Sequence, residues 1–279
     1  MSAFNGNRRV PPPANEPVKS YAPGTPERAE LKSRLASMSA ERIEIPVVIG
    51  GKEFRSGKTA QAVMPHDHAH VLADWHMATP EMVQQAVAAS AAARKEWSRW
   101  SWGDLAAVFL KAAELLTTTH RQTLNAATML GQSKTCYQAE IDSACELIDF
   151  WRFNVAYARQ IEAEQPVSTP VASNRFDHRP LEGFVLAITP FNYTSIAGNL
   201  PSAPALMGTP AVWKCADTQI YSAQVVMEVF QRAGLPGGVI NLIHVSGKDV
   251  GDVAFSHKEF AGVHFTGSTS VFNSMWKTI

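Results

Sequence analysis

From residue 183 onward the chain repeats one pattern: a short apolar run, a small or polar break, then a segment of helix length. Gly183-Phe184-Val185-Leu186-Ala187-Ile188 is strand-length, without a charged or polar side chain, and is followed by Thr189-Pro190. A strand apolar on both sides has no face to offer water, so it belongs inside a parallel sheet covered by helices. Ala211-Val212-Trp213 is a second such strand. A helix over 218–233 is stopped by Gly234-Leu235-Pro236-Gly237-Gly238, and Val239-Ile240-Asn241-Leu242-Ile243 is a third strand. A short helix over 250–255 leads to a fourth strand, Ala261-Gly262-Val263-His264-Phe265, and Thr266-Gly267-Ser268-Thr269 opens a last helix. Strands alternating with helices predict an α/β, doubly wound sheet with right-handed crossovers.

Sheets of this kind bind ligands beyond the carboxyl ends of their strands. Three of those ends carry small, polar or charged residues: Thr189-Pro190-Phe191-Asn192-Tyr193, Lys214-Cys215-Ala216-Asp217 and Thr266-Gly267-Ser268-Thr269. A glycine and hydroxyls leading into a helix suit a phosphate. A lysine beside a carboxylate suits ribose hydroxyls. Taken singly, Gly267-Ser268-Thr269 reads as a helix cap, Lys214 as a surface lysine and Asn192 as a turn residue. Converging at strand ends, they point to a nucleotide. The dinucleotide fingerprint Gly-x-Gly-x-x-Gly does not follow the first strand, and Gly247-x-x-x-Gly251 is a weak signal alone.

Charge and composition remove other classes. Of 279 residues, 25 are basic and 25 acidic, so no net field draws nucleic acid or an anionic membrane. At 46% hydrophobic, the chain has material for a core. No apolar run approaches the ~20 residues needed to span a bilayer, so membrane insertion is not expected. Three cysteines do not make a disulfide scaffold, and they suggest a reducing compartment.

The first 40 residues are rich in proline and read as an unstructured, extended arm, then one helix from Thr25-Pro26-Glu27. Arg8 and Arg9 lack the amphipathic setting of a transit peptide. Thr79-Pro80-Glu81 starts another helix, with Val83, Ala86, Val87, Ala93 and Trp97 in one stripe. A second follows Asp104, with Leu105, Val108, Phe109, Ala112, Leu115 and Leu116 inward. A third runs over 135–159, with Ile141, Cys145, Ile148, Trp151 and Val155 inward and Glu146 on the solvated face. His66, His68 and His70 are spaced for a turn between strands rather than for a metal, and no metal site is expected.

In order and spacing, these segments resemble the aldehyde dehydrogenase superfamily. The resemblance rests on Leu181-Glu182-Gly183-Phe184-Val185, Pro190-Phe191-Asn192, Pro204-Ala205-Leu206-Met207-Gly208, Trp213-Lys214, Ala233-Gly234-Leu235-Pro236 and Phe265-Thr266-Gly267-Ser268-Thr269. Asn15-Glu16-Pro17, Tyr21-Ala22-Pro23-Gly24, Gly131-Gln132-Ser133-Lys134 and Gln138-Ala139-Glu140-Ile141-Asp142 are similar to its Δ1-pyrroline-5-carboxylate dehydrogenase branch. That likeness implies a Rossmann-like NAD-binding domain and NAD-dependent oxidation of glutamate γ-semialdehyde to glutamate, in proline catabolism.

The resemblance also implies roles. Asn192 matches the asparagine that holds the oxyanion, and Thr189 a position contacting NAD. Lys214 and Asp217 match the ribose pair, and Gly267, Ser268 and Thr269 the pyrophosphate loop. Glu146 and Tyr193 match positions lining the substrate pocket, which sets Glu146 against its solvated-face reading. Cys215 stands where a proline is usual, and the loop at Gly247-Lys248-Asp249 is about two residues short by comparison with the motifs of the family. The implied layout is an arm over 1–40, a helix and strand part over 41–165, an oligomerisation flap over 166–183 and the NAD-binding βαβ half over 184–279. The family's nucleophilic cysteine and glutamate base lie after the Phe-Thr-Gly-Ser-Thr motif, so the chain is expected to be an N-terminal fragment, truncated before the catalytic domain and inactive alone. Exposed apolar edges are expected where the sheet ends. A homodimer or higher assembly and the mitochondrial matrix are also implied, with the cytoplasm as the alternative location. A short dinucleotide-binding or subunit-pairing module, and another aldehyde dehydrogenase, are the alternatives.

Overall fold

The structure is a computed structural model that describes residues 9–279. Arg8, half of the arginine pair weighed as a transit signal, lies outside the described residues. In chain order the elements are α1 (Pro26–Ala40), β1 (Ile43–Ile45), β2 (Val47–Ile49), β3 (Lys52–Phe54), β4 (Thr59–Met64) and β5 (Asp67–His76). Helices α2 (Pro80–Trp97), α3 (Trp102–Thr117), α4 (Arg121–Gln132) and α5 (Cys136–Ala139) follow, then a π turn (Glu140–Cys145) and α6 (Glu146–Ala163). The alternating half is β6 (Phe184–Ile188), α7 (Thr194–Leu206), β7 (Ala211–Lys214), a tight turn (Asp217–Gln219), α8 (Ile220–Arg232), β8 (Ile240–Ile243), α9 (Gly247–Ala254), β9 (Phe260–Phe265) and α10 (Thr269–Thr278).

Among the described residues the strands form two sheets. The smaller is β1-β5-β4, and the larger has the order β3-β2-β8-β7-β6-β9. Strands β8, β7, β6 and β9 are parallel, in a register that sets Leu186 beside Val212 and Val263. Strand β2 joins β8 antiparallel, through Val48 and Leu242. From β6 the chain winds outward through β7 and β8, then returns to the other side of β6 for β9. The gap between β6 and β9 is therefore the topological switch point, where such folds bind ligands.

The apolar runs are explained by two covered faces. Phe184, Leu186, Val212 and Ile243 pack with Val83 and Val87 of α2 and Val250 of α9. Ala187, Trp213 and Leu242 point the other way, into the core shared with Phe109, Trp151 and Phe230. Complete burial of a leucine such as Leu186 contributes ~1.5–3 kcal/mol, so the three buried strands β6, β7 and β8 fix the sheet. The four expected strands are present, and they are parallel.

Three expectations change. The arm is not unstructured beyond residue 14: Asn15 Nδ2 and the Glu16 N–H both donate to Asp149 at 2.7 Å, and the Lys19 N–H donates to Glu140 at 2.8 Å. Buried polar partners on α4 and the π turn, and a half-buried Asp149 on α6, hold it. The third helix is not uniform, because the π turn interrupts it. Glu146 does not lie on a solvated face. It is half-buried, and its Oε2 accepts a hydrogen bond from Ser195 Oγ at 2.8 Å. The helical start at Thr25-Pro26 is as expected, and so is the turn at His66. His66 Nδ1 lies 2.7 Å from Ser133 Oγ, and His70 Nε2 lies 2.7 Å from the Ser39 carbonyl.

Strand β9 pairs with β6 alone among the described residues, and none of its residues is fully buried. Phe272, Trp276 and Ile279 of the final segment are exposed.

Candidate active site

A cavity of about 790 Å³ opens at the carboxyl ends of β6, β7 and β9, over the switch point. Its size suits a small-molecule site, for which ~300–1,000 Å³ is usual. Thr189, Lys214, Gly247, Lys248, Gly267 and Ser268 all line it. The first two stand at strand ends. The others belong to the starts of α9 and α10, whose free amides and dipoles favour an anion.

Each position is set by local structure. Trp213 is completely buried, and its indole N–H donates to Thr189 Oγ1 at 3.1 Å. The Thr189 N–H donates to the Lys214 carbonyl at 3.1 Å. Thr189 is thereby locked between two strand ends, with its own hydroxyl hydrogen uncommitted among the described residues. Strand alternation turns Trp213 into the core and Lys214 the other way. Lys214 Nζ stands 3.8 Å from Asp217 Oδ1, too long for a hydrogen bond, so both groups keep capacity for a ligand. Asp217 is 65% exposed and lies outside the cavity lining, as does Thr269.

Ser246 caps α9, its Oγ accepting from the Asp249 N–H at 3.0 Å. Ser268 caps α10, its Oγ accepting from the Val271 N–H at 3.3 Å. A Cβ built on Gly247 would meet no atom within 4 Å, so a ligand can approach the backbone there. Beneath Lys214 lies a neutral pair: Cys215 Sγ is 3.7 Å from His244 Nδ1. Burial pushes the His244 imidazole down to about 4 and the Cys215 thiol up to about 12.

A second cluster sits beyond Thr189-Pro190-Phe191, at the start of α7. Asn192 is half-buried, and its amide makes no hydrogen bond among the described residues. The Tyr193 ring lies 4.8 Å below Lys134 Nζ, which pairs with Asp142 at 2.6 Å. Glu146 reaches the same helix end through Ser195. The structure thus brings Thr189, Lys214, Gly267 and Ser268 into one cavity, and Tyr193 and Glu146 to the neighbouring helix terminus.

Comparison with known proteins fits this geometry. The model of the "Aldehyde dehydrogenase family" matches residues 53–278. The chain belongs to the aldehyde dehydrogenase family. A Delta-1-pyrroline-5-carboxylate dehydrogenase of Agaricus bisporus is 47% identical over 273 residues, covering 97% of this chain and 50% of that protein. The mitochondrial enzyme of that name from Dictyostelium discoideum is 45% identical over 278 residues, 99% of this chain and 50% of that one. The crystal structure of the Delta-pyrroline-5-carboxylate dehydrogenase of Mycobacterium tuberculosis bound with NAD superposes with a TM-score of 0.97 at 51% identity, covering 99% of this chain and 52% of that chain. The chain spans about half the length of these relatives.

An aldehyde dehydrogenase of the kind the resemblance implies needs a reactive thiolate. Burial raises all three thiols of this chain, Cys136, Cys145 and Cys215. Protonated thiols at neutral pH are poor nucleophiles. The residues that sequence reasoning missed are Lys134, Asp142 and Ser195, and the exposed start of α9 beyond Gly247. In the sequence Lys134 and Asp142 stand only within the family-like motifs, with no signal that pairs them. Ser195 carried no signal, because α7 itself was not legible.

Proposed function

We propose that this chain provides the NAD cradle and one wall of the substrate pocket in an NAD-dependent oxidation of glutamate γ-semialdehyde to glutamate. The observation that carries the reading is the convergence of Thr189, Lys214, Gly267-Ser268 and the capped start of α9 on one cavity at the switch point. The named relatives support the substrate.

The residues fit a dinucleotide. Lys214 donates to the adenosine ribose hydroxyls, and Asp217 accepts from them. Gly267, Ser268 and Thr269, at the start of α10, hold the pyrophosphate together with the α9 terminus. The Thr189 hydroxyl donates toward the nicotinamide end. What NAD supplies when bound is a hydride acceptor. Asn192 presents its amide N–H to the substrate oxygen as negative charge develops there, and loss of one such donor typically costs ~10²–10³ in rate. Glu146 meets the ammonium group of the amino-acid end, and Tyr193 walls the pocket beside it. The exposed segment over 166–183, with Val167 and Val171 turned outward, pairs subunits in a homodimer or a higher assembly. The mitochondrial name of the Dictyostelium relative supports a place in the matrix.

Calorimetric titration of NAD into the 279-residue chain tests the cradle. Saturable 1:1 binding, competed by ADP-ribose, is expected. Absence of binding overturns the reading. With its three thiols raised, the chain alone is expected to form no NADH from the semialdehyde.

A further inference from the structure

One buried carboxylate has no part in the proposed chemistry. Glu140 is 0% exposed, yet it collects donors from every side. Arg121 grips both of its oxygens, the Tyr21 hydroxyl and Asn125 Nδ2 donate to Oε2 at 2.8 Å, and the Lys19 N–H donates to Oε1 at 2.8 Å. Arg121 also pairs with Glu16 and donates to the Pro17 carbonyl at 2.8 Å. A charge this deep is tolerated only when it is fully paired and hydrogen-bonded.

Glu140 is the first residue of the π turn. Within that turn the Glu146 N–H bonds the Ile141 carbonyl, five residues back instead of four. The extra residue turns everything after it by about 100° around the axis relative to a continuous α-helix. Glu146, the next residue, then meets Ser195 on α7. Segment 15–21 spans the irregularity. It holds Asp149 after the turn and Glu140 at its start.

We infer that Glu140 is the positioning residue of Glu146: clamped by Arg121 and by segment 15–21, it holds the π turn that aims Glu146 at the start of α7. This rests on the reading that Glu146 faces the substrate's ammonium group. The clamp never touches substrate. It acts by choosing the angular register of α6.

The test is amide hydrogen exchange on the full chain, wild type against Glu140→Gln, with Tyr21→Phe as a milder variant that removes a single donor. The Glu146 amide is expected to exchange on the order of tenfold faster in Glu140→Gln, the factor lost with a charge-assisted hydrogen bond. Leu186 and Leu242 in the sheet should keep their wild-type rates. Tyr21→Phe should move Glu146 in the same direction by less. Unchanged Glu146 exchange in both variants, or equal acceleration of the sheet amides, overturns the inference. L-glutamate affinity forms a second arm, measured in Glu140→Gln, Glu146→Gln and the double variant. If Glu146→Gln leaves that affinity unchanged, the substrate reading fails, and exchange alone decides the positioning. If Glu146→Gln weakens it, Glu140→Gln should add no further loss in the double variant. Additive losses overturn the positioning role.

Discussion

Gly183 shows how much one residue can decide. Its φ is +107°, and a Cβ there would stand 1.9 Å from the Glu259 carbonyl oxygen, which already accepts from the Phe184 N–H at 2.8 Å. Gly183→Ala is therefore expected to cost roughly 2–4 kcal/mol from strain and overpacking, read as a lower urea midpoint. A midpoint equal to wild type would show that β6 and β9 can separate without penalty. Lys214 makes the opposite case, a residue whose weight falls on ligand rather than fold. Among the described residues its ammonium has one ionic contact, a long one with Asp217. Lys214→Met should weaken NAD binding by about tenfold to a hundredfold, the worth of a charge-assisted hydrogen bond, while the melting temperature stays put. An unchanged NAD affinity in calorimetry would remove Lys214 from the ribose site. Lys214 and Gly267 were visible in the sequence because they follow apolar strands, where chemistry and position coincide.

At the scale of elements, visibility followed the apolar stripe. Helices α2, α3 and α8 bury apolar residues at helical spacing and were anticipated within a few residues. Helix α4 was not, because its inward side carries Arg121, Asn125, Thr128 and Gln132, polar residues at spacings of three and four. The buried clamp on Glu140 and the contacts of Thr194 explain that polar face. Helix α7 was hidden by Pro201 and Pro204, which argue against a helix on propensity. Close packing overrides them: a Cβ on Gly198 would lie 2.8 Å from the Leu147 side chain on α6. Helix α9 begins at Gly247, three residues before the start the sequence pattern predicts, because Ser246 caps it. Ser246→Ala should cost about 1 kcal/mol and accelerate amide exchange at Asp249, whose N–H the Ser246 hydroxyl accepts. Unaltered exchange at that amide would mean that the cap contributes nothing to the α9 terminus.

The whole molecule adds a dependence on pH that no element shows alone. His244 lies beneath Lys214, completely buried, with Nε2 3.2 Å from the Pro46 carbonyl and its ring edge-on to Trp75. Burial lowers its folded-state value to about 4. Protonation therefore favours the unfolded chain. The stabilisation is complete above the unfolded value near 6.5 and drains away as pH falls toward 4. Between about pH 7.5 and 5.0 the loss should be roughly 2 kcal/mol, or about 4 °C in melting temperature. Burial raises the Glu140 carboxyl, but the hydrogen bonds from Arg121, the Lys19 N–H and Tyr21, with the Arg121 charge, together outweigh it and hold the group below the usual carboxylate range, so its contribution is lost only at more acid pH. Thermal melts of wild type and His244→Gln across that range check the assignment. A wild-type slope that persists in His244→Gln would place the titrating group elsewhere.

The sequence by itself determined the four parallel strands of the sheet and three of the strand ends that form the cavity. Unbroken apolar runs allow no other environment, and polar residues directly after them have to lie at the sheet's carboxyl edge. Its motifs, read as a resemblance, also carried the family. Only the tertiary structure decided the rest. The docking of segment 15–21, the π turn, the burial of Glu140 and the turn of Glu146 toward Ser195 join residues more than 100 positions apart, or depend on a hydrogen bond made to the fifth residue back. Hydrophobic periodicity records which side chains leave water. It carries no record of which buried polar groups find each other, because that pairing exists only once the chain has closed around them.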